Sequence, residues 1–460
     1  MRNVLLLSIF SFLFFVSCQK ETFDEKNSAE EQMEMSKKSA FNGSYMVISK
    51  SETLTSKLEA SIKKHGKITN TIPEIGVAVV KTSDPNFEKK MMKLPEVRSV
   101  VPDLNINWIA PIDVKPLENP PSIGDGEYFY DIGYLWSLDT LDAPEAWNTD
   151  ATGDGVRIAI IDTGIDADHP DLAPNINTEL SKSFVKDEDL AIDEDWNVRD
   201  GEFFNHGSHV AGIAAGADSD YGIIGVAPNA EIVAIKVISE YDDGPGYLSW
   251  LIQGITYAGE IKADVINMSV GASFNKNGNI YGDDGNLIGR YHPASIQELL
   301  HLMQKAIDFA HRNGSTIITS AGNSAINGDG NNSQVFIPAD LNHVISVSAT
   351  GKEDIPAYYT NFGRSLIDIS APGGDVYYSY SWYDAILSAG SESFWWAQGT
   401  SMSAPHVAGV AALIIGENGG DMSPIEVEKQ LYKTADNIDA NGQSLYYGKG
   451  RVNAYRAVTE

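Results

Sequence analysis

Apolar positions follow two different patterns along the chain. Between residues 41 and 110, short β-rich runs alternate with stretches of helical spacing. Residues 45–49 read as a strand, and Leu54, Leu58 and Ile62 recur at helical spacing within 53–65, which Gly66 closes. Residues 75–80 read as a buried strand, 87–94 as a short helix stopped by Pro95, and 97–101 as a last strand. The order strand, helix, two strands, helix, strand predicts a small α/β sandwich. From about Leu135 onward the apolar runs become β-branched and nearly unbroken, at 156–161, 232–237, 265–269, 316–320 and 344–348. Helical stretches lie near 207–216, 248–260, 295–313 and 401–415. Strands buried on both sides and alternating with helices predict an α/β fold, a mostly parallel twisted sheet with helices on both faces. Sites in such sheets form at the carboxyl ends of the strands.

Composition narrows the classes. The 460 residues are 43% hydrophobic and 10% aromatic, enough for a large core, which excludes disorder or a fibrous repeat for the bulk of the chain. With 33 Lys+Arg against 63 Asp+Glu the net charge is −30, which argues against a nucleic-acid partner, since phosphate backbones select basic faces. The charge is uneven. Residues 41–110 hold 10 Lys+Arg and 7 Asp+Glu, whereas 111–460 hold 18 and 50. Opposite signs predict that the small module docks on the large one. Between them, 111–133 carries Pro111, Pro116, Pro120, Pro121 and several glycines and reads as a linker.

The amino terminus reads as an address. Arg2 is followed by an uncharged apolar run at 4–16 and then by Ser17-Cys18. This is the layout of a secretory signal, and the run is shorter than the ~20 residues a spanning helix needs. A cysteine directly after the run resembles the lipobox of bacterial lipoproteins, with Phe15 where such boxes usually carry Leu. By that resemblance 1–17 is a removed signal peptide and Cys18 a lipidated first residue that anchors the protein to a membrane of the cell envelope. An ordinary signal with an incidental cysteine is the alternative. Cys18 is the only cysteine, so no intramolecular disulfide forms. Residues 18–40 are polar and read as a flexible tether.

Three segments carry candidate chemistry. Strand 156–161 runs straight into Asp162-Thr163-Gly164; taken alone, such an aspartate suits metal binding, helix capping or catalysis. Asn205-His206-Gly207-Ser208-His209 leads into a helix of small residues, and two histidines three apart also fit a zinc site or a helix surface. In Gly399-Thr400-Ser401-Met402-Ser403-Ala404-Pro405-His406, Ser401 lies at a helix start, where the dipole and free N–H groups favour a developing anion. A capping serine is the plain alternative.

Together the three are far more specific. DTGID, NHGSHVAG and GTSMSAPHVAG, in that order, resemble the subtilase family of serine proteases. The resemblance runs from about residue 135 to the end and includes Ala227-Pro228, Asn267-Met268-Ser269, Ser320-Ala321-Gly322-Asn323 and Gly450-Arg451-Val452-Asn453-Ala454. It implies a catalytic domain over 134–460, with 41–110 as an inhibitory propeptide that also assists folding. It implies Ser401 as nucleophile, His206 as general base, Asp162 as the group that orients the imidazole, and Asn323 with the Ser401 N–H as oxyanion donors. His209 and His406 are then structural. Peptide or protein substrates would lie extended between Ser269-Val270-Gly271 and Gly244-Pro245-Gly246, the second edge weakened because Pro245 has no N–H. Phe336 stands where many relatives carry a small residue at the base of the S1 pocket, which predicts a small P1 residue.

The reaction class needs no cofactor. Asp171 matches a carboxylate that binds calcium in some members, so a structural calcium is open, although Ser219 replaces the usual amide in the companion loop. The acidic run 186–195 reads as a solvated loop rather than a metal site, and the insertion 275–289 as a surface loop near the substrate edge. The expectation is a monomeric, self-processed endopeptidase. A silent fold used for binding and a dedicated leader-peptide remover are the rival readings.

Overall fold

The computed structural model describes residues 43–105, 111–119, 128–187, 192–219, 222–240, 246–281, 287–290, 292–330, 333–439 and 444–460. Cys18, the signal, the tether, Gly244 and Pro245 lie outside the described residues.

The small module is built as its pattern predicts: β1 (Ser44–Ser49), α1 (Ser56–Ile62), β2 (Lys67–Ile72), β3 (Val77–Lys81), α2 (Phe87–Met91) and β4 (Val97–Pro102). The strands form one antiparallel sheet in the order β2-β3-β1-β4. Thr55 caps α1 by accepting from Leu58 N. Strand side chains alternate between faces, and here both faces are buried. Val47, Ala78, Val80 and Val100 face α1 and α2, whereas Met46, Ile48, Val77, Val79 and Val101 join a core shared with the larger body. Docking is therefore carried by apolar surface. The charge complementarity expected from composition reduces to pairs such as Arg98–Glu298 at 3.3 Å, which at this exposure add little.

The described part of 111–133 is not a free linker. Its strand β5 (Asp113–Pro116) pairs with the larger body, and Phe129 is buried in that body's core. The body itself contains β6 (Arg157–Asp162), β7 (Lys182–Ser183), α3 (His206–Ala215), β8 (Glu231–Lys236), α4 (Leu248–Glu260), β9 (Val265–Met268), β10 (Ala272–Asn275), α5 (Pro293–Arg312), β11 (Thr316–Ser320), β12 (Gln334–Ile337), β13 (Ile345–Thr350), β14 (Ile369–Pro372), β15 (Ile386–Ala389), β16 (Phe394–Gln398) and α6 (Thr400–Glu417). Seven strands form a parallel sheet in the order β14-β13-β11-β9-β6-β8-β7. Alternation along β6 sends Ile158 and Ile160 to the α3 and α6 side, and Ala159 and Ile161 to the α4 and α5 side. That is the expected sheet with helices on both faces. The strand order reverses direction around β6, which places a crevice at its carboxyl end.

Two loop readings change. In the insertion, Asn279–Tyr281 and Leu287–Arg290 pair and extend the β10–β12 pair into a four-stranded antiparallel sheet, so it is not a plain surface loop. In the acidic run, the Glu194 side chain is turned inward, 5% exposed, rather than solvated: its carboxylate lies 2.9 Å from the ammonium of Lys236, itself fully buried, and Glu240 lies at 3.3 Å. A buried cation needs such partners, because an unpaired one is prohibitively costly to desolvate.

Candidate active site

β6 delivers Asp162 to the end of the sheet, 1% exposed. His206 is the first residue of α3, whose capping residue Asn205 accepts from Ser208 N at 2.7 Å. The Thr163 hydroxyl clips the two segments together, accepting from Gly207 N at 3.0 Å and Asn205 Nδ2 at 3.1 Å. Gly207 is required by proximity, since a Cβ there would stand 2.1 Å from Gly164 O. The result is a close pair: His206 Nδ1 lies 2.8 Å and 2.9 Å from the two Asp162 oxygens. Its Nε2 is buried and has no hydrogen-bond partner among the described residues.

Ser401 occupies the first turn of α6, buried all round through Ile415. Pro405 sits inside this helix and has no N–H to give to the carbonyl four residues back. That carbonyl belongs to Ser401, and Ser269 Oγ donates to it at 2.8 Å. In return Ser401 Oγ donates to Ser269 O at 3.1 Å. The Ser401 hydroxyl therefore rests on Ser269 and not on His206 Nε2. Ser269, Val270 and Gly271, read as a substrate edge, are buried, with Ser269 against Ser401.

Asn323 follows β11, and Thr400 orients it. Asn323 Oδ1 accepts from Thr400 N at 2.9 Å and from Thr400 Oγ1 at 2.7 Å, which turns the amide nitrogen toward Gly399. A Cβ at Gly399 would crowd that nitrogen at 3.2 Å. The role of Thr400 was not read from the sequence; its place between Gly399 and Ser401 was the only signal. Beside Asn323 opens a cavity of about 220 Å³, with Ala321, Phe336 and Ala339 in its wall together with Pro111 and Ile112. Phe336 is 7% exposed, packed with Leu366 and Ile367 as well as lining the cavity.

The opposite edge is taken by the chain itself. Gly246 N donates to Asn105 Oδ1 at 2.9 Å, Asn105 bridges Tyr247 antiparallel, and Leu248 N donates to Leu104 O at 2.9 Å. Asp103 caps α4, accepting from Ser249 N at 3.0 Å and Ser249 Oγ at 2.8 Å. Burial pushes the Asp103 carboxyl up to about 6, against those hydrogen bonds.

The remaining candidates are structural. His209 Nε2 donates to Trp395 O, and His406 Nδ1 to Met402 O at 2.8 Å. Burial pushes these imidazoles down to about 3 and about 4, which keeps them neutral. Both oxygens of Asp171 accept from protein donors, Ser219 Oγ at 2.7 Å and Ile223 N at 2.9 Å. Burial holds this carboxyl up at about 6. Calcium needs six to eight oxygens, and among the described residues no cluster of three or more His, Cys, Asp or Glu comes together. The Ser219 hydroxyl and Ile223 N–H satisfy the Asp171 carboxylate, and Asp220 of the companion loop lies outside the described residues.

A serine at a helix start, a paired His and Asp on neighbouring elements and a side-chain amide nearby are the groups that a serine hydrolase requires. Residues 153–450 match the Subtilase family, and the chain belongs to that family of serine endopeptidases. It is similar to the thermophilic serine proteinase of Bacillus sp. (strain AK1), 30% identical over 391 residues that cover 84% of this chain and 82% of the relative. Thermitase of Thermoactinomyces vulgaris is 33% identical over 319 residues, 69% of this chain and 93% of the relative. The solved epidermin leader peptide processing serine protease of Staphylococcus aureus superposes with a TM-score of 0.71 over 90% of this chain and 99% of that one. At 23% identity the last likeness shows the fold.

Proposed function

We propose that this chain is a secreted, lipid-anchored serine endopeptidase made as an inhibited zymogen, with Asp162, His206 and Ser401 as its triad. The observation that carries the reading is the Asp162–His206 pair, whose second nitrogen is buried without a partner. In the reaction the Ser401 hydroxyl leaves Ser269 O, gives its proton to His206 Nε2 and attacks the peptide carbonyl. Asp162 holds the tautomer with hydrogen on Nδ1 and stabilises the imidazolium. The carbonyl oxygen becomes an oxyanion held by Asn323 Nδ2 and the Ser401 N–H, one of the unpaired donors of the α6 first turn. As the C–N bond breaks, His206 returns the proton to the leaving amine. Water then enters by the same route in reverse and frees Ser401 from the acyl group.

Inhibition follows from occupancy. Residues 104–105 line the Gly246–Leu248 edge, Pro111 and Ile112 lie in the cavity wall, and the module holds them there through its apolar face. Cutting the chain downstream of Asn105 would release the cleft, and the Ser401 centre of the same molecule is the group best placed to do it. Phe336 in the cavity wall supports a small P1 residue.

A fluorophosphonate probe tests the nucleophile: mass mapping of the mature enzyme should find the adduct on Ser401, lost with Ser401→Ala and strongly slowed with His206→Ala. Absence of any adduct, together with no hydrolysis of denatured protein, would contradict the reading. The anchor rests on the sequence alone; labelled palmitate should enter the wild type and not Cys18→Ser, and equal incorporation would overturn it.

A further inference from the structure

Away from the cleft, two histidines meet that the reaction does not use. His311 lies in the last turn of α5, and His343 stands two residues before β13. Their rings stack with centroids 4.1 Å apart and planes 23° apart. Among the described residues neither ring has a hydrogen-bond partner. His343 is exposed and His311 partly so, which leaves the pair open to an ion from solution.

The backbone beneath the pair is fixed. Gln304, two turns before His311 on α5, accepts from Asn342 N at 2.9 Å and donates to Asn342 O at 3.1 Å. The residue preceding His343 is thereby clamped to the helix. The same amide nitrogen donates to Asp308 Oδ1 at 2.8 Å, which puts a carboxylate one turn before His311 on the same face. His343 has a φ of +65°, a left-handed conformation that a residue with a Cβ adopts only at a cost. Strain of this kind persists where the surroundings hold a side chain in a set place.

We propose that His311 and His343 form a binding site for a divalent transition metal ion of the Zn²⁺ or Cu²⁺ kind, with one nitrogen from each ring and water in the rest of the shell. Imidazole suits these ions, whereas Ca²⁺ and Mg²⁺ take oxygen ligands. Two Zn–N bonds of about 2.0–2.1 Å in a tetrahedral shell hold their nitrogens about 3.3 Å apart. Rings already in contact reach that separation by side-chain rotation alone. Among the described residues no third His, Cys, Asp or Glu joins the pair, so binding is weaker than in a closed site of four protein ligands. Asp308 adds negative potential without being a ligand. The ion ties the end of α5, which leads into β11, to the entry of β13, and these two strands are neighbours in the sheet. Asn323 follows the far end of β11, so the site clamps the fold and does not touch the reaction. It stands or falls apart from the protease reading.

The test uses the full chain carrying Ser401→Ala, without an affinity tag, and zinc chloride as the probe. His311→Phe keeps a ring in the contact, and His343→Asn keeps a residue that tolerates the left-handed backbone. Each removes one ligand, and without metal both variants should melt within about 2 °C of the parent. Equilibrium dialysis gives Kd, and thermal unfolding is read at about a hundred times that concentration. The parent should gain about 3 °C or more, and each variant should weaken Kd by at least about tenfold. With Cu²⁺ as a second probe, electron paramagnetic resonance should show two imidazole nitrogens on the ion in the parent and fewer in either variant. No zinc bound up to about 1 mM, or a Kd that either variant leaves unchanged, overturns the proposal.

Discussion

His206 Nδ1 is shared between the two oxygens of Asp162, at 2.8 Å and 2.9 Å, while its other nitrogen faces no partner among the described residues. The pair commits one side of the imidazole and leaves the other for a proton. An amide in place of the carboxylate would keep the shape and donate toward Nδ1, forcing the hydrogen onto Nε2, where it blocks proton uptake. Asp162→Asn should therefore lower kcat by about 10⁴-fold with little change in KM. Steady-state kinetics on a chromogenic peptide checks this, and a loss smaller than tenfold would contradict the assigned role.

The amide of Asn323 is aimed by the two bonds that Thr400 gives its oxygen. Asn323→Ala should cost about 10²–10³-fold in kcat, the cost of one oxyanion donor. Thr400→Val removes one of the two orienting donors and leaves the amide in place, so a loss of up to about tenfold is expected. If the two variants lost equally, Thr400 would be acting on something other than Asn323.

Phe336 narrows the cavity beside Asn323 from its wall. A peptide series differing only at P1 should rank Ala above Phe. Phe336→Gly should reverse that order by opening room for a ring, at a cost of about 3–5 kcal/mol in stability for an emptied aromatic site. A wild type that prefers Phe would sink the assignment.

Asp103 is buried between Ser44 and Ser249, and its carboxyl is raised to about 6. The folded chain therefore binds this proton more readily than the unfolded chain does. Its contribution to stability is fully present at low pH and falls as pH rises from about 4 to about 6, by about 1.4 kcal/mol per unit, and is flat above that. Asp103→Asn removes the titration. In the Ser401→Ala background, urea midpoints should show the Asp103→Asn variant gaining on its parent across that window and holding a constant lead above it. A lead that is the same at pH 4 and pH 7 would mean Asp103 is solvated.

Much of this was legible in the sequence because chemistry restricts the choices. The motif residues around Asp162, His206 and Ser401 are ones that few other jobs require together, and unbroken β-branched runs name a parallel sheet. The failures have physical causes. β5 was read as linker because Pro111, Pro116, Pro120, Pro121 and several glycines crowd 111–133, yet an edge strand tolerates proline, here Pro116 at its end, where no N–H is called for. β7 is two residues long and polar, too short to show a period. Glu194 sits in a charge run that would ordinarily be solvated, and only the tertiary position of Lys236 turns it inward. The orienting bonds from Thr400, and the rescue of the Ser401 carbonyl by Ser269, depend on contacts more than seventy residues apart in the chain, which no local pattern encodes.

The central claim is that Ser401 matures its own chain. Wild type and Ser401→Ala, both expressed without residues 1–18, are purified in parallel, and intact mass and amino-terminal sequence are read for each. The account predicts that the wild type sheds its module and begins downstream of Asn105, while Ser401→Ala stays full length. Two full-length proteins, or two identically cut ones, would contradict it.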